Sequence, residues 1–196
     1  SLIQTGITDA AFEPLGTIAT LKTLALSNTA VTGSGFTHLT GLSNLEEISA
    51  RRTGINDDSV ATLSGIPSLK RLFIWSTNVT DAAMPDLASL PNLDVLYLDE
   101  NDISDAGLAA LAGHATLRTL WLSDTGVTDA GLEVLVDLPL EAVFLNKTSI
   151  SNAGLLVLAA IPTLRNINAR DSAVTEAGIE AALAVEGRNE RLQIRN

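Results

Sequence analysis

The sequence predicts an α/β solenoid with a parallel β-sheet on its concave side and short helices on its convex side. Two observations lead to this fold class. The chain of 196 residues repeats the same apolar pattern, and the first full repeat begins at Leu21 and ends before Leu45. Each repeat contains one segment patterned as a strand and one patterned as a helix. One strand and one helix cannot bury their apolar faces alone, so neighbouring repeats must stack.

The repeat can be read seven times from the same starting position. Its first residues are Leu21, Leu45, Leu69, Leu93, Leu117, Leu140 and Leu164. A partial repeat, residues 1–20, precedes them, and a terminal strand near residues 192–194 follows them. Because the register is continuous, we expect residues 1–196 to form a single domain.

The first half of each repeat is typical of a short strand and a turn. Apolar residues stand at the first, fourth and sixth positions, as in Leu69, Leu72 and Ile74, which gives the strand one buried face. The ninth position holds a small residue with a side-chain oxygen, usually Thr but Asn101 in one repeat. Such a residue suits a bend whose backbone groups need hydrogen-bond partners.

The second half of each repeat predicts a helix. The twelfth position is Thr, Ser or Asn throughout, which are residue types that cap helix N-termini. The thirteenth position is usually acidic, and a carboxylate there is favoured by the helix dipole. These acidic residues are Asp9, Asp57, Asp81, Asp105, Asp129 and Glu176. Helix capping explains them without a metal. Pro14 and Pro85 fall inside predicted helices, so we expect those two helices to be short or 3₁₀-like.

The full pattern resembles the leucine-rich-repeat family. It reads L-x-x-L-x-L-x-x-T-x-V-T-D-A-G-L from Leu117 to Leu132. More narrowly, it is similar to bacterial members with helical convex sides, akin to the ribonuclease-inhibitor-like class. The resemblance covers essentially the whole chain and implies a right-handed horseshoe. It also implies a role in recognising proteins or other ligands.

The sequence offers little chemistry for catalysis. The absence of cysteine excludes disulfides, thiolate zinc sites and cysteine nucleophiles. The two histidines, His38 and His114, lie in the helical halves of different repeats, and we expect both to be surface residues. No hydrolase, metalloprotease or phosphate-loop motif is present. We therefore predict a binding scaffold that is not an enzyme and that has no cofactor, no metal site and no catalytic residues.

Charge and hydropathy restrict the partners. A net charge of −11 disfavours nucleic acids and anionic membranes, which attract basic surfaces. No apolar run is long enough for a membrane helix, and the N-terminus has no signal-peptide pattern, so the sequence does not indicate a compartment. Ser1 begins in the middle of a strand, and nothing before Leu2 covers the first core layer. We therefore expect a truncated chain, or end-to-end self-association through an uncapped N-terminus.

The strand residues that face away from the core suggest a binding surface. Positions three, five, seven and eight are expected to project to the concave side. Position five carries Phe73, Tyr97, Trp121 and Phe144 in successive repeats, and position seven adds Trp75, so five of the seven aromatics lie on this face. With strands ~4.8 Å apart, the stripe spans roughly 14 Å. Half-exposed rings give roughly 400–600 Å² of apolar surface, which is large for a monomer.

Charges are expected to frame this aromatic stripe, as in protein interfaces. Beside the rings, the predicted site residues are Arg51, Asp99, Asp124 and Lys147, with Arg52, Arg71, Glu100 and Arg170 further along the rim. We predict that the stripe recognises a protein or peptide. Three alternatives stay open: a glycan stacking on the rings, a purely structural or self-associating segment, and a stripe that only stiffens the sheet through cross-strand pairs.

Overall fold

The computed structural model describes residues 1–196 and contains one parallel sheet of eight strands in sequence order. The strands are β1 Thr23–Ala25, β2 Glu47–Ser49, β3 Arg71–Phe73, β4 Val95–Tyr97, β5 Thr119–Trp121, β6 Ala142–Phe144, β7 Asn166–Asn168 and β8 Gln193–Arg195. Each strand pairs only with its neighbours in sequence, and equivalent repeat positions lie side by side. The predicted α/β leucine-rich-repeat horseshoe is confirmed.

Short helices occupy the other side of each repeat. The α-helices are α1 Phe12–Leu15, α2 Asp57–Leu63, α3 Met84–Ala88, α4 Asp105–Leu108, α5 Asn152–Ala159 and α6 Glu176–Leu183, and the 3₁₀ helices are Asp9–Ala11, Phe36–Leu39, Asp81–Ala83, Ala109–Leu111 and Asp129–Leu135. The helices with Pro14 and Pro85 are short, as predicted, with 4 and 5 residues. None of the helices has the length and apolar character needed to cross a membrane.

The interior is one hydrophobic cluster of 49 buried residues that extends through the stacked repeats. In the central repeats, residues at the first, fourth and sixth positions, such as Leu69, Leu72 and Ile74, are completely buried. Burial of each such side chain stabilises the fold by about 1.5–3 kcal/mol. The apolar positions that define the repeat are therefore also its main source of stability.

The ninth-position side chains bind backbone groups of their own turn, as predicted. Thr53 Oγ1 donates to the carbonyl oxygen of Ala50 at 2.7 Å. Asn101 also reaches the preceding repeat, where its Oδ1 accepts from Thr77 N at 2.9 Å and its Nδ2 donates to Ile74 O at 2.9 Å. This turn is thereby joined to its neighbour by side-chain hydrogen bonds.

The predicted N-caps are confirmed in six repeats. Asn56, Thr80, Ser104, Thr128, Ser151 and Thr175 each accept a hydrogen bond from a backbone N–H of their helix. The prediction is wrong for Thr32, because that repeat's helix begins at Phe36 with Gly35 as its N-cap. Gly33 precedes it with a φ of 87°, and this left-handed residue gives the chain a different path into the helix. Thr8 stands at an N-cap, but its side chain caps nothing.

The acidic thirteenth position has a partner that the sequence reading missed. Every one of these acidic side chains except that of Glu176 accepts hydrogen bonds from the twelfth-position residue of the next repeat. Asp105 accepts from Thr128 N at 2.8 Å and from Thr128 Oγ1 at 2.6 Å. The same arrangement joins Asp9 to Thr32, Asp57 to Thr80, Asp81 to Ser104, Asp129 to Ser151 and Asn152 to Thr175. We call these residues the linking column.

Glycine two positions further along makes room for the linking column. A Cβ atom on Gly131 would lie 2.3 Å from Asp105 Oδ1, and one on Gly154 would lie 2.2 Å from Asp129 Oδ1. Real Cβ atoms do not approach oxygen so closely. The D-A-G sequence of the repeat therefore encodes a contact between repeats, because the aspartate of one repeat fills the space left by the glycine of the next.

The terminal strand differs by one residue from its predicted position. It covers Gln193–Arg195, with Gln193 paired to Asn166 and Arg195 paired to Asn168. The sequence predicts this strand near residues 192–194, and the observed strand ends one residue later, with Arg195 beside Asn168 at position five. The error arose because the last interval is longer than a repeat, so the register there cannot be carried over by counting.

Candidate binding surface on the concave sheet

The parallel register places the four position-five rings on neighbouring strands. Phe73 lies beside Tyr97, Tyr97 beside Trp121, and Trp121 beside Phe144. Their ring centroids are 4.7, 4.4 and 3.6 Å apart, with an edge-to-face pair first and two stacked pairs after it. All four side chains are half-buried. The rings thus form a continuous stack that lines the sheet.

Trp75 widens the stack at position seven. Its ring centroid lies 6.2 Å from that of Tyr97. The Arg51 guanidinium carbon lies 5.4 Å from the centroid of Trp75, within the range of a cation–π interaction. Together with the four stacked rings, Trp75 completes what we call the aromatic stripe: Phe73, Trp75, Tyr97, Trp121 and Phe144.

Two clefts open on either side of Trp75. The first, of about 200 Å³, is lined by Ile3, Ser27, Ser49, Arg51, Phe73, Trp75 and Tyr97. The second, of about 260 Å³, is lined by Trp75, Asp99, Glu100, Trp121, Ser123, Asp124, Asn146 and Lys147. We call them the arginine cleft and the acidic cleft. The surface is therefore divided into an apolar part with a cation and a polar part rich in carboxylates.

All nine residues predicted for the site lie on this surface. Eight of them line the two clefts, and Phe144 extends the stack beyond Trp121. The sequence reading did not include Ile3, Ser27, Ser49 and Ser123. These four hold positions five or seven of their repeats, so reading those two positions through every repeat identifies them. Small serines there leave space between the larger side chains.

Asp99 is the most unusual charged group on the surface. Only 6% of it is exposed. Its Oδ1 accepts a hydrogen bond from Ser123 N at 2.5 Å. Burial raises the pKa of its carboxyl to about 6, with a further contribution from Glu100, although the hydrogen bonds from Ser123 oppose the rise. Burial, and secondarily the charge of Asp99, also raises the pKa of Tyr97.

Position eight has a left-handed backbone in every repeat. Its residues are Gln4, Asn28, Arg52, Ser76, Glu100, Asp124, Lys147 and Asp171, with φ between 51° and 58°. None is glycine, so no residue type at this position indicates the left-handed conformation. The chain turns away from the sheet at this residue. Glu100, Asp124 and Lys147 consequently stand at the edge of the acidic cleft.

A row of alternating charges lies at the opposite end of the strands, at position two. Its members are Lys22, Glu46, Lys70, Asp94, Arg118, Glu141 and Arg165. Lys70 Nζ lies 2.9 Å from Glu46 Oε1, and Arg118 Nη1 lies 3.1 Å from Glu141 Oε1. The sequence reading missed this row, although its alternation is visible once position two is read through all repeats.

The remaining candidate groups serve the fold. His114, predicted to be a surface residue, is buried, because its Nε2 bonds to Leu90 O at 3.2 Å and its Nδ1 accepts from Leu117 N at 3.2 Å. Burial lowers its pKa, although the hydrogen bond with Leu90 O opposes the shift. His38 is exposed. No cluster of three or more His, Cys, Asp or Glu side chains could hold a metal ion.

Comparisons with known proteins agree with this architecture. A leucine-rich-repeat family model matches residues 89–112 and 113–136. No curated protein sequence matches the chain. Among solved structures, internalin C2 of Listeria monocytogenes is similar at 27% identity with a TM-score of 0.75, covering 99% of this chain and 79% of that one. Internalin F of the same organism is similar at 21% identity with a TM-score of 0.76, covering 99% of this chain but only 52% of its own length.

Proposed function

Because the chain is a leucine-rich-repeat protein of bacterial type, we propose that it is a non-enzymatic scaffold that binds a protein or peptide through the aromatic stripe of its concave sheet. Leucine-rich-repeat proteins generally use such extended concave surfaces for protein–protein interactions. We further propose that residues 1–196 act as one binding domain, which is supported by the single hydrophobic cluster that runs through the repeats.

The observation that carries the proposal is the continuous aromatic stack on a face that the solenoid leaves open. Core residues at the fourth and sixth positions are completely buried, whereas the rings at position five are half-buried. Half-exposed aromatic rings rimmed by polar and charged groups are the usual anchors of protein interfaces. Cross-strand stacking also stiffens the sheet, and a rigid set of anchors binds with less loss of entropy.

Ring orientation favours a polypeptide over a glycan. A sugar ring stacks on an exposed aromatic face. Here Tyr97, Trp121 and Phe144 turn their faces towards one another at interplanar angles of 28° and 16°. Their edges are left for a ligand, together with the charges of the two clefts. Such a mixture of ring edges and charged groups is suited to side chains of a partner protein.

The test compares three forms of the chain: wild type, a Phe73→Ala, Tyr97→Ala, Trp121→Ala variant, and a control. The control, Ile18→Ala, Val136→Ala, Leu156→Ala, removes three exposed apolar side chains outside the stripe. Each form is immobilised and exposed to bacterial extracts, and the captured proteins are measured. A glycan array is run on the same three forms.

We expect the stripe variant to lose a partner protein that wild type and control both retain. Circular dichroism checks that the variant is folded, since losing each aromatic pair costs about 0.5–1.5 kcal/mol. Array binding that disappears only in the stripe variant would establish glycan recognition instead. Equal capture by all three forms would show that the stripe is structural.

A further inference from the structure

The charges at the two ends of the strands behave differently. In the position-two row, Arg118 and Arg165 both contact Glu141, at 3.1 and 3.5 Å. In the acidic cleft, neither Asp99, Glu100 nor Asp124 has a cationic group within 4.0 Å. The position-two charges and the cleft charges both come from neighbouring strands, so ion pairs between adjacent repeats are geometrically possible in both sets. Lys147 also lines the cleft, but it forms an ion pair with none of the three carboxylates.

We propose, resting on the function proposed above, that the acidic cleft binds a basic side chain, lysine or arginine, of the partner polypeptide. The cleft contains three carboxylates and one ammonium group, that of Lys147, for a net charge of −2. Its position beside the aromatic stripe allows one partner segment to contact both.

Asp99 provides the anchor for the cation. Its carboxylate is fixed by the hydrogen bond from Ser123 N and is 6% exposed, so the charge is held in one orientation with little water around it. Burying a carboxylate without a paired cation is costly, and an incoming ammonium or guanidinium group offsets that cost. The Ser123 N–H that donates to Asp99 is neutral, so it does not balance the negative charge of the carboxylate.

Tryptophan walls complete the site. Trp75 and Trp121 both line the cleft, but the ring of Trp121 is stacked between Tyr97 and Phe144, so Trp75 is the indole that can offer its face to a cation. Arg51 already lies 5.4 Å from the Trp75 centroid on the side of the arginine cleft, which demonstrates that a guanidinium can reach this ring. A basic side chain entering the acidic cleft would find the same kind of contact together with carboxylates.

The net charge of the whole chain supports a basic partner. At −11, the protein attracts cationic segments over a longer range and accelerates their encounter. A bare metal ion is a poorer occupant, because the three carboxylates of the cleft are not placed so that they could hold one together. The occupant is therefore a side chain with both an apolar stem and a positive end.

Intrinsic fluorescence tests the proposal directly, since the two tryptophans of the chain both line the cleft. The probes are the blocked pentapeptide acetyl-Ala-Ala-Arg-Ala-Ala-amide and the same peptide with citrulline, the neutral isostere of arginine. The proteins are wild type, Asp99→Asn and the control Glu133→Gln, which removes one charge at an exposed residue of the Asp129–Leu135 helix. Asparagine retains an oxygen for Ser123 N, so we expect Asp99→Asn to fold.

We expect saturable changes in fluorescence with the arginine peptide, at least tenfold weaker binding of the citrulline peptide, and at least tenfold weaker arginine binding by Asp99→Asn. Glu133→Gln should match wild type. Equal affinity for the two peptides, equal affinity of Asp99→Asn and wild type, or no binding would each overturn the proposal. A partner lost from the stripe variant but retained by Asp99→Asn would leave the proposed function standing and refute this inference alone.

Discussion

Asp105 and Asp99 are acidic residues of the same repeat, yet their surroundings are opposite. Asp105 belongs to the linking column and accepts two hydrogen bonds from Thr128 in the next repeat. Asp99 stands at position seven, accepts one bond from Ser123, and is buried beside aromatic rings with a pKa of about 6. Asp105 is held by donors of the next repeat, whereas burial disfavours the charged form of Asp99.

The difference between Asp105 and Asp99 reflects the repeat positions to which they belong. In the linking column, the acid and the hydroxyl that meets it recur in several successive repeats, so the contact is part of the solenoid. Position seven changes its residue type from repeat to repeat: Ile3, Ser27, Arg51, Trp75, Asp99, Ser123, Asn146, Arg170. A constant column indicates structure, whereas a varied column on an open face indicates recognition.

The largest expected effect comes from breaking the linking column with Asp105→Ala. The variant leaves Thr128 N and Thr128 Oγ1 without their acceptor. Because hydrogen bonds to charged groups contribute about 1.5–3 kcal/mol each, we expect the free energy of unfolding to fall by about 2–4 kcal/mol. Urea unfolding followed by circular dichroism measures it.

The matched control for this variant is Asp105→Asn. Asparagine can accept the same hydrogen bond. In the last pair of the linking column, Asn152 Oδ1 accepts from Thr175 N at 2.9 Å. We expect Asp105→Asn to lose clearly less stability than Asp105→Ala. Equal losses for the two variants would mean that the acid acts through the helix dipole and not through the next repeat.

Asp99→Asn is expected to change the free energy of unfolding less than Asp105→Ala does, and in the opposite direction, so that the variant is more stable than wild type. The unfolded carboxyl has a pKa near 3.8 and the folded one near 6. The folded state therefore binds more protons between these values, and the stability contributed by this group falls as the pH rises from about 4 to about 6. Removing the charge should raise the free energy of unfolding by about 1–3 kcal/mol at pH 8.

The pH profile distinguishes this cause from a general stabilisation. The stability difference between Asp99→Asn and wild type should be greatest above pH 6 and should shrink towards pH 4, as wild-type Asp99 becomes protonated. Urea unfolding of both chains across this range provides the measurement. A difference that stays constant with pH would contradict a raised pKa at Asp99.

The smallest effect is expected in the position-two row, where the paired charges are partly exposed. Glu141→Lys replaces contacts to Arg118 and Arg165 with repulsion. We expect a loss of about 1 kcal/mol at low ionic strength, because exposed ion pairs contribute little. In 1 M NaCl the loss should nearly vanish, because the Debye length falls to ~3 Å and the charges are screened from one another. Glu180→Lys, an exposed residue of α6 without an ion pair, is the control and should show neither effect.

Much of the fold could be predicted from the sequence because the apolar positions repeat. Leu69, Leu72 and Ile74 are representative: their spacing alone identifies a strand with one buried face. The placement of Phe73, Tyr97 and Trp121 on the open face followed from the same alternation. Successive side chains of a strand point to opposite faces, so the face of each side chain could be derived from one repeat without its neighbours.

What the sequence could not provide was the partner of a side chain in the next repeat. Asp105 was assigned to its own helix because stacking brings it to Thr128 only in three dimensions. The burial of His114 depends on Leu90 O in the preceding repeat for the same reason. Asp99 lines the acidic cleft of the concave face, but its burial comes from neighbouring strands and raises a pKa that no local pattern encodes.

The left-handed residue at position eight has a consequence for how such a surface can change. Glutamine, arginine, glutamate and lysine all adopt it with nearly the same φ, so the backbone there is set by the coil and not by the side chain. Left-handed geometry costs any residue other than glycine about 1–2 kcal/mol. That cost is nearly the same for each of them. Glu100 and Lys147 can therefore be exchanged for other charges without reshaping the sheet, and new specificities can arise at this rim through single substitutions.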